Sequence, residues 1–340
     1  MSDHEMSLEE LKRHKLMQRP HVVILGAGAS VAALPQGDCN GIRLPVMLNL
    51  VAMLGLESVL AKAGLEHQGR NFEDIYNQLS CDASLSDVKE VVEQCVAEYF
   101  SKLKLPEHPT LYDYLVLSLR KKDVIATFNW DPFLWLACQR NQDKTQLPHI
   151  FFLHGCAIIG HCPEHKMQGL VGNFCPACSR RYAPTRLLYP VANKDYVTDP
   201  YIASQWRSLR GALQAAYVLT IFGYGAPESD AAAVDLMSEA WGSPEKRDLE
   251  EIELIDIKDK EELEATWSRF IHTHHVRPTK SYFESLLGAF PRRTCEAMWA
   301  ELMEVKFLEY GQVPKFERLD EMWEWFQQLM TYEHGASLSD

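Results

Sequence analysis

The chain has 340 residues, with 34 Lys and Arg against 47 Asp and Glu, for a formal net charge of −13. Its apolar content of 46% supplies a sizeable core and excludes a disordered or fibrous chain. The acidic balance argues against general nucleic-acid binding, which needs clustered Lys and Arg.

At ~150 residues per domain the length predicts two domains, or one large domain with insertions. No run reaches the ~18 apolar residues that span a bilayer, and segment 1–19 lacks the apolar stretch of a secretory signal. A cytoplasmic protein without membrane contact is the expectation. The nine cysteines are an odd number in a long chain, which disfavours a disulfide scaffold.

An amphipathic helix is predicted over 6–17, with Ser7 as N-cap and Pro20 as its stop. His21-Val22-Val23-Ile24-Leu25 is apolar and β-branched and runs directly into Gly26-Ala27-Gly28-Ala29-Ser30. That is the pattern of a buried parallel strand feeding a Gly-rich turn. Segment 34–44 is irregular. Pro45 opens a helical stretch to 63, and helices follow over 71–79 and 85–102. No strand signal interrupts this region, so 46–106 reads as a helical insertion.

A helix over 111–119 precedes strands over 123–127 and 150–153. Further strands are predicted over 216–222 and 252–257, with helices over 201–215, 229–240 and 261–270. Beyond 281 the chain reads as helical and rich in aromatics. The fold class is therefore α/β: a Rossmann-like open parallel sheet with a helical insertion, a small Cys-rich module and a helical C-terminal segment. In such sheets ligands bind at the carboxyl ends of the strands. Gly26 to Ser30, Asn129, Asp131, His154, Gly223 and Asp256 all fall at that edge.

Backbone N–H groups after Gly26, together with the helix dipole, suit a phosphate. The dinucleotide fingerprint is incomplete, because Val31 stands where its third Gly would be. A plain tight turn is the competing reading. Cys162-Pro-Glu-His165 and Cys175-Pro-Ala-Cys178 have the spacing of two metal-binding knuckles. Thiolate and imidazole are ligands zinc prefers, and four protein ligands make the metal structural. His161 is an alternative fourth ligand and Cys156 a further one. Cys39, Cys81, Cys95, Cys138 and Cys295 are expected as ordinary buried thiols. The acidic run 245–264 is expected as a solvated face, and His272, His274 and His275 as a solvent-facing loop.

These pieces, in this order, resemble the sirtuin superfamily. Gly26-Ala27-Gly28-Ala29-Ser30 is similar to its dinucleotide loop, and Thr127-Phe128-Asn129-Trp130-Asp131 to its Thr-Gln-Asn-x-Asp segment. His154-Gly155 is similar to the catalytic His-Gly. A Cys-rich zinc module and then Phe222-Gly223-Tyr224-Gly225 follow, near the place of the family's Gly-Thr-Ser loop. Phe128 replaces the Gln of the deacylase motif, and 31–45 lacks the Gly-Ile-Pro-Asp-Phe-Arg segment. Gly223-Tyr224 with Ser229-Asp230 looks more like the divergent branch that hydrolyses NAD, often in bacterial antiphage defence.

The resemblance implies an N-terminal helix over 1–19, an NAD-binding domain over 20–280 with its zinc module at 156–185, and a helical segment over 281–340. It assigns catalysis to Asn129 and His154. Gly26, Ala27, Gly28, Ala29, Ser30, Arg43, Asp131, Gly223, Tyr224 and Asp256 are the NAD-contacting set, and Cys162, His165, Cys175 and Cys178 the structural zinc ligands. An Asn offers a donor and an acceptor to ribose hydroxyls and water, and a His accepts a proton. Asp131 would orient the site or bind the nicotinamide amide. In a chain this acidic the pyrophosphate must lie mainly on backbone N–H groups, with Arg43 as a local base.

The implied activity is cleavage of NAD to nicotinamide and ADP-ribose. NAD-dependent protein-lysine deacylation and a non-catalytic nucleotide-sensing module are its alternatives. An activating partner protein or nucleotide signal and a homo-oligomer belong to the same expectation, with the aromatic C-terminal helices read as core or oligomer contacts.

Overall fold

The apolar runs form the sheet the sequence predicts, with one strand more. The computed structural model describes residues 4–191, 194–247, 249–271, 275–333 and 338–339. Strands His21–Leu25 (β1), Val124–Thr127 (β2), His149–Phe152 (β3), Val218–Phe222 (β4), Glu251–Ile255 (β5) and Val276–Thr279 (β6) make one six-stranded sheet. The order is β6-β5-β4-β1-β2-β3 and every pairing is parallel. The chain winds outward from β1 to β3, returns to place β4 beside β1, and winds outward again to β6. That reversal between β1 and β4 is a topological switch point, where an open α/β sheet leaves a crevice.

Side-chain alternation along β1 builds two cores. Val23 and Leu25 pack on one face, and Val22 and Ile24 on the other. Ala27–Ala33 (α1) follows β1 directly. The first face is covered by Phe72–Cys81 (α2), Ser86–Ser101 (α3), Leu111–Ser118 (α4) and Phe133–Asn141 (α5), through Phe72, Ile75, Val92, Val96 and Phe133. The second is covered by Pro200–Ala215 (α6), Ala231–Trp241 (α7) and Lys260–Thr266 (α8), through Ile202, Trp206, Leu213, Met237 and Leu263. Of the C-terminal helices, Thr294–Leu302 (α9) packs with Leu11 and Tyr217, and Leu319–Thr331 (α10) closes the first face with Met322 and Phe326.

The structure corrects several sequence expectations. Ser7 does cap a helix, in a capping box with Glu10, but only Leu8–Lys12 is helical before Leu16–Met17 pairs with Leu338–Ser339. The stretch predicted as one helix over 45–63 is two, Leu50–Met53 and Glu57–Lys62, broken where Gly55 takes φ +66°. β6 was not expected because it contains Arg277 and Pro278. As an edge strand it has no outer neighbour to demand the missing N–H.

The acidic run is not wholly solvated. Glu250, Glu251 and Glu253 are buried, and Glu253 accepts hydrogen bonds from Leu286 N at 2.6 Å and Thr220 Oγ1 at 3.0 Å. Cys138 and Cys295 are buried as expected, whereas Cys39 and Cys81 are exposed and Cys95 is half-buried. His272 and His274 lie outside the described residues. Among the described residues no helix is long and apolar enough to cross a membrane.

Candidate active site

Three glycines set the floor of the site at the switch point. Gly26 N donates to Phe222 O at 3.0 Å, and Gly28 N to Gly223 O at 2.9 Å. A Cβ on Gly26 would lie 2.5 Å from Gly223 O, and one on Gly28 would lie 2.8 Å from Gly223 Cα. Gly223 itself has φ +61°, and its Cβ would sit 2.3 Å from Ala29 N. Gly223→Ala is therefore expected to destabilise the protein by about 2–5 kcal/mol, from left-handed strain and overpacking together. A thermal melt checks this, and an unchanged midpoint would refute the account of the crossing.

Above this floor lies a cavity of about 370 Å³. Of the residues singled out from sequence, Gly26, Ala27, Ser30, Asn129, Asp131, His154, Gly223 and Tyr224 line it. Gly28 and Ala29 do not line it: Ala29 is buried in the core, and Gly28 is exposed where it crosses Gly223. Of the N–H groups after Gly26 expected to face a phosphate, that of Gly28 donates instead to Gly223 O, just beyond β4, and that of Ala29 to Gly26 O at 3.0 Å. Arg43 is exposed and does not line the cavity, although its neighbours Leu44 and Pro45 do. Asp256 stays at the end of β5, where its Oδ1 accepts from Lys258 N at 3.1 Å.

Asn129 leaves β2 and turns its amide onto the Gly-rich turn. Nδ2 donates to Gly26 O and to Ser30 Oγ, each at 2.9 Å. Among the described residues no protein donor reaches its Oδ1, which leaves an acceptor for a ligand. Ser30 Oγ donates to Asp131 Oδ2 at 2.7 Å and lies 2.5 Å from Tyr112 OH. Burial pushes the Asp131 carboxyl up to about 6, against the hydrogen bonds from Ser30 and Phe133 N. Tyr112, on α4, escaped sequence reasoning because an aromatic on a buried helix face signals only core. The buried indole Nε1 of Trp130 has no partner among the described residues.

His154 follows β3. Its ring meets Phe128 edge-on at 4.8 Å between centroids, and Phe128 stacks on Tyr224 at 4.0 Å. Its Nε2 lies 3.5 Å from Tyr196 OH and 3.8 Å from Asp230 Oδ1. Burial pushes the imidazole down to about 3, and among the nearby charges Asp230 raises it and Lys194 lowers it. The imidazole is therefore neutral at physiological pH and can accept a proton. The opposite wall, with Leu44, Pro45, Met47, Leu50, Asn71, Glu73 and Phe100, comes from the helical insertion and the segment before it. These residues carried no motif, since the insertion reaches the site only through packing.

The Cys-rich segment folds as predicted for a metal module. Ile159–His161 pairs antiparallel with Gln168–Leu170 and Ala183–Pro184. Its two knuckles share one geometry. Lys166 N donates to Cys162 O at 2.8 Å and Ser179 N to Cys175 O at 2.7 Å, with φ +53° and +57° at Lys166 and Ser179. The ligand atoms of Cys162, His165, Cys175 and Cys178 lie within 4.8 Å of one another. Tetrahedral zinc, with bonds of ~2.3 Å to S and ~2.0 Å to N, places ligand atoms roughly 3.5–3.8 Å apart. Cys162 Sγ is 3.5 Å from His165 Nδ1 and 3.7 Å from Cys178 Sγ, so the set fits a closed structural zinc site. His165 is thus the fourth member of the cluster. His161 instead packs on Tyr201 at 5.0 Å.

No family model and no curated protein matches the chain. Among solved structures it is similar to a Sir2 homologue in complex with NAD, with 13% identity and a TM-score of 0.40, covering 89% of this chain and 96% of that one. The similarity is to Sir2 structures. Another, from work on the mechanism and regulation of Sir2 enzymes, has 10% identity and TM-score 0.38, covering 87% and 95%. A third, from work on sirtuin substrate affinity, has 13% identity and TM-score 0.38, covering 96% and 97%.

Proposed function

We propose that the cavity binds NAD and that the enzyme cleaves its nicotinamide–ribose bond to give nicotinamide and ADP-ribose. One observation carries this reading. Asn129 and His154, arriving from the ends of β2 and β3, meet in a single cavity whose floor is the switch point of a sheet in dinucleotide-binding order. Nicotinamide leaves as a neutral base and needs no general acid. The protein's tasks are to hold the ribose, exclude bulk water and accept one proton. Asn129 Oδ1 supplies the acceptor that orients a hydroxyl or water, and neutral His154 takes the proton. Asp131, tied to Ser30, fixes the turn that Asn129 also grips. Zinc has no step in this chemistry; it holds the module.

A second reading, protein-lysine deacylation, is favoured by one feature. A groove of about 1030 Å³ runs between α2, α3 and residues 185–189, 191, 194 and 195, and it shares Leu188 and Lys194 with the cavity. Such a groove suits an extended peptide.

Incubation with NAD, with and without an acetylated peptide, separates the two. Nicotinamide release without peptide is expected, and release only with peptide, accompanied by deacetylation, would overturn the hydrolase. NAD binding without release in either arm supports the non-catalytic sensor. The resemblance to the NAD-hydrolysing branch extends the proposal to phage defence under an activating partner or nucleotide signal, in a cytoplasmic homo-oligomer. Plaque assays on expressing cells test that extension.

A further inference from the structure

We propose that Lys194 and Asp230 are a ligand-operated pair: Lys194 takes a phosphate of the bound dinucleotide, and Asp230, released from Lys194, orients His154 as the base. This rests on the reading of the cavity as a dinucleotide site.

Charge accounting points to Lys194. The cavity wall carries three carboxylates, Glu73, Asp131 and Asp230, and Lys194 is the one Lys or Arg among the described residues that line it. Arg43 lies outside, and the N–H groups of Gly26, Gly28 and Ala29 already donate to Phe222 O, Gly223 O and Gly26 O. An anionic ligand entering there meets a single cation. The Lys194 side chain is 3% exposed, and its Nζ pairs with Asp230 Oδ1 and donates to Ser229 O at 3.2 Å. An ammonium has three donors, so one remains for a ligand.

Asp230 is held at three points. Oδ2 accepts from Tyr224 OH at 2.9 Å, Oδ1 pairs with Lys194, and the same Oδ1 faces His154 Nε2 at 3.8 Å. While Lys194 neutralises it, Asp230 gives His154 little support. Once a phosphate draws Lys194 away, Asp230 keeps Tyr224 and turns Oδ1 to Nε2–H. That contact fixes the proton on Nε2 and leaves Nδ1, which no described protein group hydrogen-bonds, as the free base.

The step balances. Water oxygen forms the bond to the ribose carbon, the bonding pair leaves with nicotinamide, and Nδ1 takes the water proton and later yields it to solvent. The charged and titratable groups facing His154 are Tyr196, Asp230 and Lys194. Tyr224 lies on Asp230, and Glu73 is reached through Ser229 Oγ at 3.3 Å. Burial, the largest influence, and Lys194 lower the imidazole, and Asp230 raises it, as the pair requires.

The test uses the full chain and calorimetric binding of ADP-ribose, with adenosine as the phosphate-free control. Lys194→Met is expected to weaken ADP-ribose by about 10–100-fold, the size of one charge-assisted hydrogen bond, and to leave adenosine unchanged. It is also expected to move the acid limb of kcat/KM to higher pH, because His154 loses a cation. Asp230→Asn, which frees Lys194 from its ion pair, should bind ADP-ribose as tightly as the wild type or more tightly while lowering kcat by about 10²-fold.

Because Lys194→Met strands a buried carboxylate, the double variant Lys194→Met/Asp230→Asn guards against misfolding. It should bind ADP-ribose as weakly as the single variant. Equal ADP-ribose affinity in wild type and both Lys194 variants overturns the pair and spares the dinucleotide reading. A wild type that does not bind ADP-ribose overturns both.

Discussion

Replacing His154 by Ala is expected to cut nicotinamide release from NAD by about 10²–10⁴-fold, the usual loss when a positioned general base is removed. The effect should fall on kcat, since the ring touches Phe128, Tyr196 and Asp230 rather than the Gly-rich floor. Asn129→Ala should cost as much for a different reason. Its Nδ2 ties Gly26 O to Ser30 Oγ, so its loss removes a ligand acceptor and loosens the turn. Product chromatography measures the rate, and circular dichroism shows whether the fold survives. Folded variants with full activity would remove this site from consideration.

The second large effect concerns the metal. Metal analysis is expected to find about one zinc per chain, and Cys175→Ser or strong chelation should unfold the segment 156–185. The module's own core is only Cys162, Cys175 and Tyr182, with Cys178 against it. Structural zinc contributes roughly 10–16 kcal/mol in small modules, far more than three side chains can supply. Activity should fall with the metal, because Leu188 N donates to His154 O at 3.0 Å and so ties the module's exit to the active site. Zinc return should restore both. A chelated protein with an unchanged melt and unchanged turnover would show the cluster to be dispensable.

The sequence made legible the parts that depend on local pattern. β1, β2 and β4 announce themselves because a strand buried on both faces is a continuous apolar run, and their polar carboxyl ends fall together at one edge. The zinc ligands were legible because a knuckle is a spacing. The rest depends on neighbours. The use of the Gly26 and Gly28 N–H groups follows from β4 lying beside β1, and that placement is invisible from either segment alone. Lys194 sits in a segment with no motif, and Tyr112 on a helix that reads as core. Glu253 reads as a surface charge until Leu286 N and Thr220 close on it. His165 and His161 are both plausible by spacing, and backbone geometry separates them.

The meeting of Gly26 and Gly28 with Phe222 and Gly223 has a consequence for synthesis. The floor of the cavity is made from two segments nearly 200 residues apart. β1 leaves the ribosome early, and β2 can pair with it, yet its other edge stays open until residue 222 has emerged. The zinc knuckles, separated by nine residues, are complete before then. A nascent chain therefore carries a finished metal module and both proposed catalytic side chains while still having no place to bind a dinucleotide. Any NAD-consuming activity would be withheld until the fourth strand closes the gap.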